Sequence, residues 1–318
     1  MILQETANTP QLSLVMPFFN EEEMLDHTLA ETEKTLAAID VNWELVAVND
    51  GSRDRTLDKL LAAQQRYKWL VVIDLSRNFG KEAALSAGLA NCRGQAIIPL
   101  DADLQDPPEL IAQMLEEWRN GAEVVLARRI SRTSDTWLKR STAGLFYKLI
   151  NRISDVAIPE NVGDFRLMDR SVVDTINQLP ESRRFMKGLF AWAGYRSVTL
   201  NYMRPAREMG NTKFNGWKLW NLALEGVTSF STIPLRIWTY IGTFISLIGF
   251  GYAMYIVAHT LIKGVDVPGY ASLLTIILVL GGIQLLGLGI IGEYLGRVYL
   301  ESKRRPTFIV RKVFRGQQ

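Results

Sequence analysis

The sequence predicts an α/β domain with a mostly parallel, Rossmann-like sheet, followed by an amphipathic segment and a hairpin of two transmembrane helices. Short apolar runs alternate with helix-like segments between residues 12 and 130, which is the pattern of a parallel sheet with helices on both faces. Farther along, residues 237–262 and 267–292 contain no Asp, Glu, Lys or Arg. Each of these runs is longer than the roughly 20 apolar residues that cross a bilayer.

Five apolar runs are predicted as strands, at residues 12–16, 43–48, 70–73, 96–100 and 123–127. The segments between them mix charged and apolar residues, as at 22–39 and 108–119, and are predicted as helices. The first strand-to-helix turn, residues 17–21, matches neither a Walker A loop nor the G-x-G-x-x-G fingerprint. A P-loop ATPase and an NAD-dependent enzyme are therefore disfavoured.

Changes in composition predict the domain boundaries. We expect the α/β domain at residues 1–206, an amphipathic membrane-interface segment at 207–235, two transmembrane helices within 236–297 (about 236–262 and 268–295) and a basic cytoplasmic tail at 298–318. Residues 137–153 and 213–230 combine aromatic and basic residues, as helices that lie flat on a membrane do. Packing against the sheet is the alternative. The interface is favoured for the second segment, and the first fits either placement.

Basic residues predict the orientation of the hairpin. Arg236 precedes the first helix, seven arginines and lysines lie between residues 297 and 315, and the short connection carries only Lys263 and Asp266. By the positive-inside rule, both termini and the α/β domain are expected in the cytoplasm. The first residues lack the basic and apolar regions of a signal peptide, so no cleavage is expected. The sequence thus predicts an integral protein of the inner or plasma membrane.

Composition disfavours several kinds of site. The single Cys92 rules out an internal disulfide and a cysteine-based zinc site. Only His27 and His259 are present, far apart in the chain, so a histidine-centred site is not expected. The formal net charge is +3, and much of the positive charge lies near the apolar runs, which favours anionic lipid as a partner and not nucleic acid. Any chemistry must therefore use carboxylates, arginines and lysines.

An acidic motif follows the fourth predicted strand. Asp101 and Asp103 are one residue apart, and Gln105 comes next but one. Side chains at this end of a strand lie where open α/β sheets bind ligands. Two carboxylates and an amide oxygen suit Mg²⁺ or Mn²⁺, which would hold a diphosphate. A D-x-D sequence is also common in ordinary surface loops, so its neighbours decide its interpretation. Asp106 is predicted to cap the following helix.

Polar clusters also follow the other predicted strands, at residues 17–21, 49–54 and 76–81. The carboxyl ends of parallel strands meet at one edge of a sheet. The four clusters together therefore predict a nucleotide pocket at that edge.

These motifs and the terminal hairpin resemble glycosyltransferase family 2, with its GT-A fold. More narrowly, the chain is similar to the polyprenyl-phosphate glycosyltransferases, a group that includes dolichol-phosphate mannose synthase and the bactoprenol glucosyltransferases. Residues 75–84 look most like the bactoprenol branch. The similarity spans nearly the whole chain and is more specific than any one motif.

The resemblance implies a UDP-sugar donor. The substrate-binding residues that it implies at the donor site are Pro17, Glu21, Asp50, Ser52, Lys81 and Asp101. The metal ligands that it implies for Mg²⁺ or Mn²⁺ are Asp101, Asp103 and Gln105. Asp50 would accept a hydrogen bond from the uracil ring, and an Asx-type turn with Gly51 is a structural alternative compatible with that role. Asp103 counts among the catalytic residues because the cation would offset charge on the departing UDP.

The resemblance also implies a lipid phosphate as the acceptor. Since the second pKa of a phosphate monoester is about 6, the acceptor is already mostly a dianion at neutral pH. The positive groups implied near it are Arg128, Arg166, Arg204, Arg207 and Lys213. A solvated basic loop beside anionic lipid is the alternative for residues 207–213. Related enzymes have an aspartate assigned as base at the position of Asp164. The acceptor's pKa favours Asp164 as an orienting group, and an Asp164–Arg166 pair is the structural alternative.

The predicted activity is metal-dependent, inverting transfer of a hexose, glucose, from a UDP-sugar to polyprenyl (undecaprenyl) phosphate at the cytoplasmic face, giving a β-linked product. The expected partners are the nucleotide sugar, the lipid phosphate, membrane lipids and further copies of this chain in a homo-oligomer. One alternative is a GDP-mannose-using homologue. Another is a processive polysaccharide synthase, which would carry a Gln-x-x-Arg-Trp motif that this sequence lacks. The third is a lipid-sugar transport or scaffold subunit.

Overall fold

The computed structural model describes residues 9–103, 106–129, 162–179, 181, 186–202, 233–263 and 269–316. The chain divides into two compact units. The first unit contains the described residues up to 202 together with 305–316, and the second contains those from 233 to 304. The predicted helix at 137–153 and nearly all of the predicted interface segment at 207–235 lie outside the described residues.

The first unit is built on one sheet. Its strands are β1 (Leu12–Phe18), β2 (Trp43–Asn49), β3 (Leu70–Leu75), β4 (Ala96–Pro99), β5 (Val124–Arg129), β6 (Val162–Asp169), β7 (Ser197–Tyr202) and β8 (Val310–Arg315). Among the described residues their order is β7-β5-β6-β4-β1-β2-β3-β8. The pairs β1–β2, β1–β4, β2–β3 and β5–β7 are parallel, whereas β6 and β8 run antiparallel to their neighbours. The predicted mostly parallel α/β sheet is confirmed.

Helices connect the first strands in the predicted alternation. The described helices of this unit are α1 (Leu25–Ala37), α2 (Thr56–Gln64), α3 (Lys81–Asn91), α4 (Leu110–Arg119), α5 (Arg170–Gln178) and α6 (Met186–Trp192). Strands β1, β2 and β3 are buried almost throughout, as expected of parallel strands covered by helices on both faces. Since α1, α2 and α3 each follow a parallel strand, the polar clusters after β1 to β4 meet at the carboxyl edge of the sheet.

Strand β8 differs from the basic tail predicted for residues 298–318. Residues up to 302 continue a helix, and β8 pairs antiparallel with β3. The Gln64 side-chain amide donates to the Phe314 carbonyl at 2.7 Å, and the Arg315 guanidinium donates to the Asn91 carbonyl at 3.0 Å. Arg311, Lys312 and Arg315 therefore belong to an edge strand, where charged side chains discourage pairing with another sheet.

The second unit contains two long helices, α7 (Ile233–Lys263) and α8 (Tyr270–Ser302). By length and apolar composition, one helix within the described residues could cross a membrane, Val279–Ser302, and Tyr240–Tyr252 is a shorter apolar stretch. A Cβ atom at Gly287 would overlap the indole of Trp238, so the glycine permits close packing of the two helices. The two-helix transmembrane hairpin itself stays a prediction.

The end of β6 is fixed by a helix cap. The Asp169 carboxylate accepts hydrogen bonds from the Ser171 backbone N–H and from Trp118 Nε1, each at 2.9 Å. Burial raises the pKa of Asp169, but the hydrogen bonds from Ser171 and Trp118 outweigh burial and hold the pKa below its usual range. Asp169 thereby joins β6 to α5 and α4.

We expect Asp169→Ala to lower the free energy of unfolding by about 1 kcal/mol, the usual loss for a helix N-cap. Because the folded-state pKa is depressed, this stabilisation is present above the unfolded value of about 3.9 and is lost as the pH falls through the lower folded value. Denaturant unfolding of both proteins between pH 7 and pH 3 measures the difference. A difference that does not shrink on acidification would contradict this account.

Candidate functional site

The loops after β1 and β2 hold each other. The Asn20 backbone N–H donates to Ser52 Oγ at 3.1 Å, and the Glu21 N–H donates to Thr56 Oγ1 at 2.9 Å. Asn20 has a positive φ of 54°, which asparagine tolerates better than most residues. Pro17, Glu21 and Ser52, which are predicted to bind the sugar donor, therefore lie at the ends of two adjoining strands.

Asp50 joins this pair of loops to a third. Its side chain is buried, and its two carboxylate oxygens accept hydrogen bonds from the Phe79 N–H at 2.7 Å and the Gly80 N–H at 2.9 Å. Burial raises the pKa of Asp50, and these backbone bonds and Arg77 offset only part of that rise. Since each carboxylate oxygen has a further lone pair, the bracing contacts leave acceptor capacity for a ligand.

Gly51 makes the close approach of these loops possible. Its φ of +62° lies in the left-handed region, and a Cβ atom there would overlap the backbone of Arg77 and Asn78. The Asn78 side-chain amide donates to the Asp50 carbonyl at 3.2 Å. The Asp50–Gly51 turn and the loop after β3 are therefore in direct backbone contact.

Lys81 joins two of the predicted site carboxylates. It is the first residue of α3, and its Nζ lies 2.7 Å from Asp101 Oδ1 and 2.9 Å from Asp164 Oδ2. Asp101 follows β4 and Asp164 lies on β6, so one ammonium group binds side chains from two strands. The side chains are 46% exposed for Lys81, 35% for Asp101 and 19% for Asp164, so ligands can reach the cluster.

The charges of this cluster depend on one another. Burial acts to lower the pKa of Lys81, but the attraction of Asp164 and Asp101 outweighs it and raises the pKa above its usual value. Burial raises the pKa of Asp101, and Lys81 opposes that rise. Lys81 is therefore a permanent cation at neutral pH and helps to keep Asp101 ionised.

The predicted cation site is only partly described. Asp101 and Asp103 lie at the sheet edge, and Gln105 is outside the described residues. Among described residues, no three His, Cys, Asp or Glu side chains are grouped as metal ligands. Mg²⁺ sites commonly use one or two carboxylates together with substrate phosphates, so two adjacent carboxylates fit a cation that arrives with a diphosphate. Asp101 would then have to share its oxygens between the cation and Lys81.

Arg166 lies beneath the cluster and is not exposed as a surface ligand. It is 5% exposed, its Nη2 donates to the Gly163 carbonyl at 2.7 Å, and its guanidinium lies 4.3 Å from the Phe190 ring centroid. Burial lowers its pKa to about 10, although the Asp164 carboxylate opposes the shift. The arginine therefore supplies a fixed positive charge near Asp164, and the Asp164–Arg166 pair stays a prediction.

Asp106 does not cap the following helix. Helix α4 begins at Leu110, and the Asp106 Oδ1 accepts a hydrogen bond from the Tyr202 hydroxyl at 2.7 Å. Burial raises the pKa of Asp106, and the phenol satisfies one oxygen of this carboxyl. The contact ties the segment after β4 to the end of β7, so the predicted capping role is wrong.

The remaining predicted residues lie elsewhere or outside the described chain. Arg128 is on β5, and its Nε donates to Asn201 Oδ1 on β7 at 2.9 Å. The predicted residues outside the described ranges are Gln105, Arg204, Arg207 and Lys213.

Two contacts that support the site are not marked by any sequence motif. Asn49 Nδ2 donates to Asp74 Oδ1 at 2.8 Å, and both side chains are buried. Asn49 and Asp74 are partners in the register of β2 with β3, so a correct alignment of these two strands would have placed them side by side. The groups that bind the Asp50 carboxylate are the backbone N–H groups of Phe79 and Gly80. Because every residue except proline has such a group, the residue types at these positions do not indicate the contact.

Comparison with known proteins decides the family. Residues 13–176 match the family model "Glycosyl transferase family 2", and residues 233–298 match "GtrB C-terminal hairpin". The chain belongs to glycosyltransferase family 2. It is accordingly a glycosyltransferase with a GT-A-like α/β fold.

Relatives are similar over nearly the full length. The SfII prophage-derived bactoprenol glucosyl transferase of Shigella flexneri is 50% identical, covering 96% of this chain and 99% of the relative. A glycosyltransferase of Synechocystis sp. is 53% identical and covers 95% of each chain. Among solved structures, glucosyl-3-phosphoglycerate synthase from Mycobacterium tuberculosis matches with a TM-score of 0.48 at 18% identity, over 69% of this chain and 78% of that one.

Gly51→Ala is expected to separate the Asp50 turn from the loop after β3. The substitution adds a Cβ atom at a left-handed backbone position, where it would clash with the backbone of Arg77 and Asn78. We expect a loss of about 2 kcal/mol in stability and at least tenfold weaker UDP binding. Gly121→Ala is the matched control, since Gly121 also has positive φ (+96°) but open space around its Cβ position. Equal effects of the two substitutions would contradict the clash.

Lys81→Met is expected to lower the maximal rate of sugar transfer by about tenfold or more, because two carboxylates lose their shared counter-charge. It should also lower the Mn²⁺ concentration that gives half the maximal rate, since Asp101 no longer binds a lysine. Lys34→Met is the control, because Lys34 is an exposed lysine paired with Glu31 on α1. An unchanged metal requirement in Lys81→Met would show that Lys81 and the cation do not share Asp101.

Proposed function

We propose that this glycosyltransferase moves a hexose, glucose, from a UDP-sugar to a polyprenyl phosphate at the cytoplasmic face of the membrane. The observation that carries the proposal is 50% identity to a bactoprenol glucosyl transferase over 96% of this chain and 99% of the relative. A match of that extent includes the sheet-edge loops and the helical hairpin, and not the family's common sheet alone. The name of that relative therefore supports a lipid acceptor for this chain.

In this proposal the donor binds at the carboxyl ends of β1 to β4. The uracil ring contacts Asp50, with Pro17 and Glu21 beside it. Asp101, Asp103 and Gln105 would hold a divalent cation, which would offset negative charge on the departing UDP. The short distances between the loops after β1, β2 and β3 support a single pocket, because Asp50 already contacts the loop that leads into Lys81.

The acceptor phosphate approaches from the side of Asp164. The phosphate is mostly a dianion at neutral pH, with a second pKa of about 6, so its oxygen needs positioning more than deprotonation. Attack opposite the UDP leaving group gives inversion and a β-linked product. Lys81 holds Asp164 by an ion pair, and Asp164 orients a sugar hydroxyl. Arg128, with the predicted Arg204, Arg207 and Lys213, supplies positive charge for the lipid phosphate.

Chain topology supports a membrane hairpin. The chain leaves the sheet after β7 and returns to it as β8, the strand next to β3. A segment whose two ends belong to one folded unit must cross the bilayer an even number of times. Two crossings, one by each of α7 and α8, satisfy this condition. The positive charges that flank them favour two crossings with the sheet in the cytoplasm.

The direct test is transfer of labelled glucose from UDP-glucose to undecaprenyl phosphate by the purified full-length protein. We expect a metal-dependent glycolipid, and at least a hundredfold loss of rate in Asp103→Asn. Asp40→Asn is the matched control, because Asp40 is exposed before β2 at the opposite end of the strands.

The outcomes separate the alternatives. Transfer from GDP-mannose but not UDP-glucose would keep the reaction class and correct the donor. Extension of the product by repeated additions would indicate a processive synthase. Nucleotide binding without transfer from any sugar donor would overturn the enzymatic proposal in favour of a transport or scaffold role. Sealed inside-out and right-side-out vesicles given UDP-glucose outside test the membrane face, and activity in right-side-out vesicles would contradict the cytoplasmic site.

A further inference from the structure

The last strand of the sheet carries a β-bulge at Arg311. In the pairing of β8 with β3, Asp74 lies opposite Lys312 and Leu75 lies opposite Val310. Arg311 is therefore the extra residue between two paired positions. A bulge bends the strand and re-aims the side chain of the extra residue, and bulges are frequent next to active sites.

The guanidinium of Arg311 binds two groups at the end of β3. Its Nη1 lies 3.3 Å from Asp74 Oδ2, and its Nη2 donates to the Ser76 carbonyl at 2.8 Å. Ser76 is additionally held by β8, because its N–H donates to the Ile309 carbonyl at 2.9 Å. The C-terminal strand thus contacts the beginning of the loop that continues to Phe79 and Gly80.

Asp74 carries the contact inward to β2. Its side chain is 4% exposed, and its other oxygen accepts a hydrogen bond from Asn49 Nδ2 at 2.8 Å. Asn49 Oδ1 in turn accepts a hydrogen bond from the Ser52 N–H at 3.3 Å. The chain of contacts from Arg311 through Asp74 and Asn49 ends in the turn that carries Asp50.

Arg311 is therefore connected to Asp50 by two routes. One route passes through Asp74 and Asn49 into the 49–52 turn, and the other through Ser76 into the loop whose N–H groups bind the Asp50 carboxylate. Arg311 itself is 61% exposed, and an ion pair between two exposed groups would contribute little. Its partner, however, is a buried carboxylate, and removing one donor from a buried charge leaves that charge undersatisfied.

We propose that Arg311 is a positioning residue for the nucleotide donor, acting through Asp74 and Asn49 on the turn that carries Asp50. The inference rests on the proposed function, since it takes that turn as the uridine site. The strand that follows the second long helix then supports the donor site from behind, in a segment that was predicted as a basic cytoplasmic tail. Arg311 has no contact with the reacting atoms in this arrangement.

Calorimetric titration of the full-length protein with UDP in Mn²⁺ tests the proposal. Arg311→Ala is expected to weaken UDP binding about tenfold, which is the scale of losing one charge-assisted contact. Arg311→Lys should restore part of the affinity, because a lysine keeps the charge but cannot bind Asp74 and Ser76 with a rigid fork. In transfer assays the donor KM should rise, while kcat and the acceptor KM change less than about twofold.

Arg315→Ala is the matched control, since Arg315 lies on the same strand and binds the Asn91 carbonyl. We expect it to leave the UDP affinity unchanged. Asp74→Asn should weaken UDP binding to a similar extent as Arg311→Ala, and the double variant should be no weaker, because residues of one network are not additive. Arg311→Ala could unfold at the assay temperature, and the test then uses Arg311→Lys and Asp74→Asn. Each of these variants must weaken UDP binding at least threefold, which is less than the roughly tenfold loss expected for one contact.

Three results would overturn the inference. UDP affinity in Arg311→Ala equal to that of Arg315→Ala would show that β8 only stabilises the sheet, and the proposed function would stand. Absence of UDP binding by the wild-type protein would remove the proposed function and this inference together. Equal increases of the donor and acceptor KM would also contradict a role confined to the donor.

Discussion

The need to supply hydrogen-bond donors to several carboxylates at one edge of a sheet is the constraint on which the rest of the site depends. Asp50, Asp74, Asp101 and Asp164 all lie at or near that edge, and a buried carboxylate without such donors is costly. Each of them binds donors from another element: the backbone after β3 for Asp50, Asn49 and Arg311 for Asp74, and Lys81 for Asp101 and Asp164. The same contacts that compensate charge therefore fix the relative positions of the loops.

The positive charges of the site differ in how easily they can move. Lys81 is partly exposed at the start of a helix, and its ammonium group is carried by a flexible side chain. If a divalent cation bound Asp101, this side chain would be long enough to keep its ion pair with Asp164. Arg166 is buried against Phe190 and bonded to a backbone carbonyl, so it can only act in place. Lys81 is thus a positive charge that can change partners, and Arg166 is one that cannot. Such a pair suits the binding of an anionic sugar donor and its cation while Asp164 keeps its orientation.

The sequence was sufficient for the parallel half of the sheet because those strands are buried on both faces. Continuous apolar runs marked β1 to β5, and the polar residues after them could be placed at one edge by topology alone. The two edge strands were not predicted. Strand β7 alternates exposed and half-buried residues, and β8 carries three arginines and lysines among its six residues. Edge strands need such residues to avoid pairing, so their pattern resembles that of a solvated loop or tail.

The site contacts were harder to predict than the strands, and for a different reason. Asp101 and Asp103 are recognisable because their chemistry is local in sequence. The partners of Asp74 and Asp164 come from residues 25 to 237 positions away, and nothing in their own neighbourhood indicates them. Asp106 shows the limit of local reasoning: it precedes a helix, as a cap would, yet its carboxylate binds a tyrosine 96 residues later.

The separation of Arg311 from Asp74 also has a consequence for how the site is assembled. The two residues are 237 positions apart, and chains fold from the N-terminus during synthesis, at a pace of roughly 5–20 residues per second. Strands β1 to β4 are made long before β8, whereas β8 is made only after both long helices. Contacts this distant in sequence form late because loop closure precedes any gain from pairing. The edge of β3 beside Asp74 therefore stays open until both long helices have been synthesised, and this side of the sheet reaches its final form only after them.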